Sequence, residues 1–315
     1  MEREIGGYFG LEQAYGREFH EDLIGVNSGR NALLYIIKAK QIKKLYIPRF
    51  LCDTVYMLCR REQVEYEEYA IDRNFQPLFD RELEPGQWLY LVNYYGQITD
   101  EQVLAWKKRY GRVILDNVQD FFRKPLTGVD TVYSCRKFFG VPDGGYAACD
   151  GALPLETDSS RERMRHILGR FEETGSAYYA DFQKNDEGFY DLPLMGMSPI
   201  TRNILRSVDY DAARQRRNEN YALLAAALGE KNMLTLHQPD GPYCYPFYWE
   251  KGMEIKKALA AKNIYVPTLW PNVMGQAGSV ENDFAANILP LPVDQRYGEK
   301  DMQRIVEELI VCMKI

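Results

Sequence analysis

The sequence predicts an α/β fold: a large α/β domain over residues 1–205, with a mostly parallel sheet between helices, and a smaller α+β domain over residues 206–315. Three observations predict it. Before residue 150, short apolar β-rich runs alternate with helical stretches, as in a sheet covered by helices. After residue 155 the chain turns polar and charged, with helical stretches. The last segment carries apolar residues at helical spacing.

The elements follow in order. Ser28-Gly29-Arg30-Asn31 precedes a helix-like run from Ala32 to Lys40. Leu45-Tyr46-Ile47 reads as a short strand ended by Pro48. Trp88 to Val92 is nearly continuous in apolar residues, as a strand covered on both faces should be. Thr99 opens a helix, with Gln102 placed to complete a capping box. Arg112 to Leu115 is a second buried strand, with Asp116 at its C-terminal end. Asp130–Ser134 and Gly145–Cys149 read as further strands. Asn185-Asp186-Glu187-Gly188 reads as a loop. Asp209 to Leu228 is a long amphipathic helix. Tyr243–Trp249 and Ile264-Tyr265-Val266 are strand-like, and Met253–Lys262 is helical. The final helix places Met302, Ile305, Val306, Leu309, Ile310 and Met313 on one face.

Composition narrows the function. The 45 acidic and 39 basic residues leave a net charge of −6, which argues against a nucleic-acid binder. No run is apolar enough for a membrane helix, and the charged start, Met1-Glu2-Arg3-Glu4-Ile5, is not a signal peptide. The six scattered cysteines have no metal-site spacing and read as reduced thiols of a cytoplasmic protein. The three histidines are far apart in sequence, so no metal site is expected.

Four places could carry chemistry, and each also has an ordinary structural reading. Asp116 sits where open α/β sheets bind ligands, or is a loop carboxylate or helix cap. Lys137, between a strand and Phe138-Phe139, could be desolvated, with a lowered pKa and a nucleophilic amine; otherwise it is a surface lysine. Ser28-Gly29-Arg30-Asn31 could cradle a phosphate at a helix start, or form a plain N-cap. Asp143-Gly144-Gly145 is otherwise a turn.

Taken together and in order, these pieces change the reading. Asn27 to Leu33, then Asp116-Asn117-Val118-Gln119, then Ser134, Lys137 and Gly144-Gly145 resemble the motifs of fold-type I pyridoxal-phosphate enzymes. More narrowly, the chain is similar to the DegT-type sugar aminotransferase family. The segments Arg214 to Leu224 and Ile288-Leu289-Pro290-Leu291-Pro292 add to the likeness. The resemblance implies a fold-type I transferase, a homodimer, and transfer of an amino group from a small-molecule donor such as glutamate to a keto-sugar. It implies that Lys137 holds pyridoxal phosphate and shuttles a proton, while Asp116 pairs with the pyridine nitrogen. Gln119 would lie near the ring, and Ser28, Gly29, Arg30 and Ser134 would hold the phosphate. Ser198 stands where the family has an asparagine that reaches the phosphate from a second subunit. Arg30 and Asn31 replace small or hydroxylated residues, Cys52 replaces a ring-stacking aromatic, and the Ser134–Lys137 interval is short by two. The scaffold also hosts other reactions of the same cofactor, and a non-catalytic ligand-binding descendant is a third reading.

Overall fold

Strand-end positions decide where a site can form, so the sheet comes first. The protein, seen in a computed structural model, is described over residues 5–275 and 278–314. The charged residues Met1 to Glu4 lie outside that range. The first half runs β1 (Ile24–Val26), α1 (Gly29–Ala39), β2 (Lys44–Pro48), α2 (Asp53–Arg61), β3 (Glu65–Ile71) and β4 (Pro77–Leu78). It continues through β5 (Gln87–Val92), α3 (Asp100–Tyr110), β6 (Val113–Asp116), β7 (Asp130–Ser134) and β8 (Gly145–Ala148).

These strands form one sheet in the order β1-β8-β7-β6-β5-β2-β3-β4. The pairs from β7 through β3 are all parallel, while β8 and β4 run against their neighbours. Because β1 is antiparallel to β8, it points the same way as β7. The C-terminal ends of β1, β2, β5, β6 and β7, and the start of β8, therefore meet along one sheet edge. The apolar run in β5 is covered on both faces, with Leu89 and Leu91 fully buried, as a central parallel strand requires. Helix α3 carries the expected capping box from Thr99 and Gln102. Helix α1 packs its apolar face, including Leu33, Ile36 and Ile37, over the sheet near β7 and β8.

The second half runs α4 (Arg165–Glu172), α5 (Tyr179–Gly188), α6 (Pro199–Arg206), α7 (Tyr210–Leu228) and β9 (Cys244–Tyr248). It ends with α8 (Gly252–Ala260), α9 (Val280–Asn287), β10 (Ile288–Pro292) and α10 (Glu299–Cys312). Strands β9 and β10 pair only with each other, antiparallel. Their core joins Leu224 and Leu228 of α7, Phe247 of β9, Leu259 of α8, Leu291 of β10 and Met302, Ile305 and Leu309 of α10. Tyr248, Trp270, Phe284 and Ile288 instead pack into the core of the large sheet.

Two expectations are corrected. Asn185 to Gly188 ends helix α5 and is not a loop: Asn185 donates to the Pro142 carbonyl at 2.8 Å and Asp186 accepts from Arg136 at 2.9 Å. Those tertiary bonds override the turn preference of the four residues. Ile264-Tyr265-Val266 forms no strand; Ile264 is buried with Leu259, and its amide is already bonded to the Leu259 carbonyl at 3.0 Å. No helix among the described residues is long and apolar enough to cross a membrane.

Candidate active site

The sheet edge gathers residues from six separate segments. Ser28, just past β1, caps α1: its Oγ accepts from the Asn31 amide at 3.1 Å. The first amides of a helix have no intrahelical acceptor, so those of Gly29 and Arg30 point outward from the helix start. A Cβ on Gly29 would sit 3.2 Å from the Ser134 Cβ and 3.3 Å from Val118 Cγ1, which places the loops after β6 and β7 directly against this helix start. Gly145 has a related task. A Cβ there would lie 2.6 Å from the Ser28 carbonyl carbon and 2.7 Å from the Gly29 nitrogen, so only glycine lets β8 seat against α1. The Gly144 amide also donates to Asn27 O at 2.7 Å. The glycine pair is thus more than a turn; it closes the cradle.

Asp116 ends β6, and Ser134 ends the adjacent β7. Asp116 is 5% exposed and accepts from Tyr90 Oη at 2.6 Å and from the Val118 amide at 2.9 Å. Each carboxylate oxygen keeps a lone pair for a further donor. Burial pushes its pKa above the usual carboxylate value, against the pull of Tyr90, the Val118 amide and Lys137. Lys137 closes the short turn after β7, near Asp116, Cys52, Asp186 and Tyr243, with its amine 5.7 Å from the Tyr243 ring centre. The expected lowering of its pKa is corrected. Burial pulls it down, but its interactions with Tyr243, Cys52, Asp116 and Asp186 outweigh that and leave it above the ordinary lysine value.

Gln119, 1% exposed, accepts from the Tyr95 amide at 2.8 Å, and its Nε2 has no partner. The Tyr95 hydroxyl is likewise buried and unpartnered, whereas the Asn117 amide and the Tyr133 hydroxyl are neighbours of each other. Buried polar groups left without a partner call for an explanation. Arg30 belongs to the same set: its Nε and Nη1 are buried without partners, and its guanidinium stacks 4.3 Å from the Tyr190 ring centre.

The structure brings together Ser28, Gly29, Arg30, Asp116, Gln119, Ser134 and Lys137 but leaves Ser198 out. Ser198 is fully buried and caps α6. Its Oγ donates to Asp143 at 2.7 Å, accepts from the Thr201 amide at 3.2 Å and contacts Ser160 Oγ at 2.6 Å. A hydroxyl so engaged, with no exposed face, cannot reach a phosphate held by a second subunit. The expectation for Ser198 is withdrawn.

Sequence reasoning missed Tyr90, Tyr243 and the Tyr190–Asp186–Arg136 group. A tyrosine inside the aliphatic run of β5 was a usable signal for the first, because a buried phenol needs a partner. The others meet the site only through tertiary packing. All six cysteines are free thiols.

No family model and no curated protein sequence matches the chain. Solved structures do. A DegT DnrJ EryC1 StrS aminotransferase from Brucella abortus is 16% identical, with 95% of this chain and 91% of that one covered and a TM-score of 0.62. NtdA from Bacillus subtilis, solved with its cofactor PMP, is 16% identical over 93% of this chain and 73% of its own, with a TM-score of 0.66. The sugar aminotransferase CalS13 from Micromonospora echinospora is 15% identical over 92% of this chain and 87% of its own, with a TM-score of 0.59. At these identities the likeness is one of fold alone: the chain shares its α/β architecture with these aminotransferase structures.

Proposed function

We propose that this protein is a pyridoxal-phosphate-dependent aminotransferase that moves an amino group from glutamate or a similar donor to a keto-sugar, nucleotide-linked sugars included. The observation that carries this reading is the placement of Asp116 and Lys137 past neighbouring parallel strands, beside a glycine-closed helix start. The fold shared with sugar aminotransferases supports it.

The residues present fit that cofactor. Gly29 and Gly145 leave a cradle that a Cβ would fill, and Gln119 offers a buried amide without a partner. Asp116 retains acceptor capacity on both oxygens. When bound, the cofactor supplies an electron sink for the substrate's reacting carbon. The chain's own residues do the rest. The Gly29 and Arg30 amides, with the hydroxyls of Ser28 and Ser134, would hold the phosphate at the positive end of α1. The Asp116 carboxylate, its direction fixed by Tyr90 and the Val118 amide, would keep a proton on the ring nitrogen. Gln119, anchored by the Tyr95 amide, would offer its unpartnered Nε2 to the cofactor. The Lys137 side chain, once its ammonium has given up a proton, would hold the cofactor and then receive and return the proton of the reacting carbon.

Borohydride reduction of the cofactor-loaded protein, followed by peptide mapping, tests the reading. The expected label is on Lys137, and Lys137→Ala should abolish it together with the visible absorbance of the bound cofactor. A covalent adduct on another lysine overturns the site. Cofactor release of its amino group to a keto-sugar, after loading from glutamate, tests the reaction; a loaded protein inert to both partners favours a ligand-binding role.

A further inference from the structure

Arg30 is the feature that the reading above leaves unexplained. It is the second residue of α1, and its side chain runs to Tyr190, Asp186 and Cys52. Two of those neighbours, Cys52 and Asp186, also flank Lys137. The guanidinium and the lysine amine therefore have two neighbours in common. Asp186, the nearby carboxylate, is already hydrogen-bonded to Arg136 at 2.9 Å. Arg136 in turn rests on Phe189, 4.7 Å from its ring centre. Among the described residues no carboxylate within hydrogen-bonding distance answers Arg30, and its Nε and Nη1 lie buried with no acceptor. Stacking on Tyr190 offsets part of the cost of holding a cation there, but it supplies no hydrogen-bond acceptor for the N–H groups. A half-buried guanidinium with vacant donors is suited to an oxyanion, because its planar fork matches one.

We propose that the Arg30 side chain receives a carboxylate of the amino-acid substrate, beside the Cys52 and Asp186 that it shares with Lys137, while the cofactor's phosphate is held by the backbone of the same helix start. This rests on the aminotransferase reading for the identity of the substrate. The placement favours a substrate carboxylate over the phosphate: the phosphate cradle lies at Ser28, Gly29 and Ser134, whereas the guanidinium lies among Tyr190, Asp186 and Cys52.

The test uses Arg30→Gln and Arg30→Lys, each first checked for a native near-ultraviolet dichroism spectrum. Calorimetric titration of the cofactor-loaded proteins with glutarate reads carboxylate binding, since glutarate has no amine to react. Titration of the cofactor-free proteins with pyridoxal phosphate reads cofactor binding. Loss of a charge-assisted hydrogen bond predicts a roughly ten- to hundredfold weaker glutarate affinity in Arg30→Gln, partly restored in Arg30→Lys. Cofactor affinity should change less than about twofold. A tenfold loss of cofactor affinity with glutarate binding intact assigns the guanidinium to the phosphate and overturns the proposal. Unchanged affinities for both, loss of both, or a wild-type protein that does not bind glutarate, also overturn it. Failure of the aminotransferase reading is seen separately, as a cofactor adduct that does not map to Lys137.

Discussion

Asp116 binds two donors and still has room for a third, so its charge, more than its shape, is what a substitution removes. Asp116→Asn keeps the size and most of the acceptor geometry. We expect it to retain cofactor binding while lowering turnover by about ten- to a hundredfold, the worth of one charge-assisted hydrogen bond in the rate-limiting step. Turnover equal to wild type, measured with saturating donor, would sink the assignment. His20 carries a separate prediction about pH. It is 3% exposed, bonds the Phe121 carbonyl at 2.7 Å, and has its pKa lowered from 6.5 to about 4, chiefly by burial. The unfolded chain therefore binds the extra proton first. Stability from neutral His20 is complete above about pH 6.5 and is lost as pH falls towards 4, by up to about 3 kcal/mol. Asp120 acts in the opposite sense: burial raises its pKa from 3.8 to about 6, so its contribution falls as pH rises through that window. The two slopes partly cancel in the wild type. His20→Gln removes one of them, so the stability gap between variant and wild type should narrow from pH 7 to pH 4. Urea unfolding at the two pH values checks this, and a gap independent of pH refutes it.

At the scale of elements, the start of α1 depends on two small residues. Ser28→Ala deletes the cap and should cost about 1 kcal/mol of stability, read from the urea midpoint. Gly145→Ala forces a Cβ into the backbone of Ser28 and Gly29, so it should lower both the melting temperature and the affinity for pyridoxal phosphate. A variant with unchanged cofactor affinity would show that the cradle tolerates a wider gap. Strands β5 and β6 were legible because they are covered on both faces and so read as apolar runs. Helices α3 and α10 were legible from a capping box and from periodicity. Strand β3 was not, because Glu65 and Glu68 stay exposed near the sheet edge and break its pattern. The order of Asp116, Ser134, Lys137 and the glycine pair along the chain marked residues that the fold places at one sheet edge. Arg30's neighbours Tyr190, Asp186 and Arg136 were not legible, since residues 136 and 186–190 meet it only in three dimensions.

At the scale of the whole molecule, large apolar side chains stand unusually exposed in two places. Ile5, Tyr8, Phe9, Leu11 and Tyr15 form one set; Leu168 and Phe171 of α4 with Tyr179 and Phe182 of α5 form the other. Surfaces of this kind suit association, and we expect a homodimer, with light scattering giving about twice 36.6 kDa at micromolar concentration. A mass of 36.6 kDa across that range refutes it. The pairing of β1 with β8 also has a consequence in time. Residues 24–26 leave the ribosome long before their partners, residues 145–147. At about 5–20 residues per second, the first strand waits several seconds for a neighbour. Seating Gly145 against Ser28 is then the event that completes the anion cradle, so cofactor capture reports the closing of the last strand and cannot guide the strands that precede it.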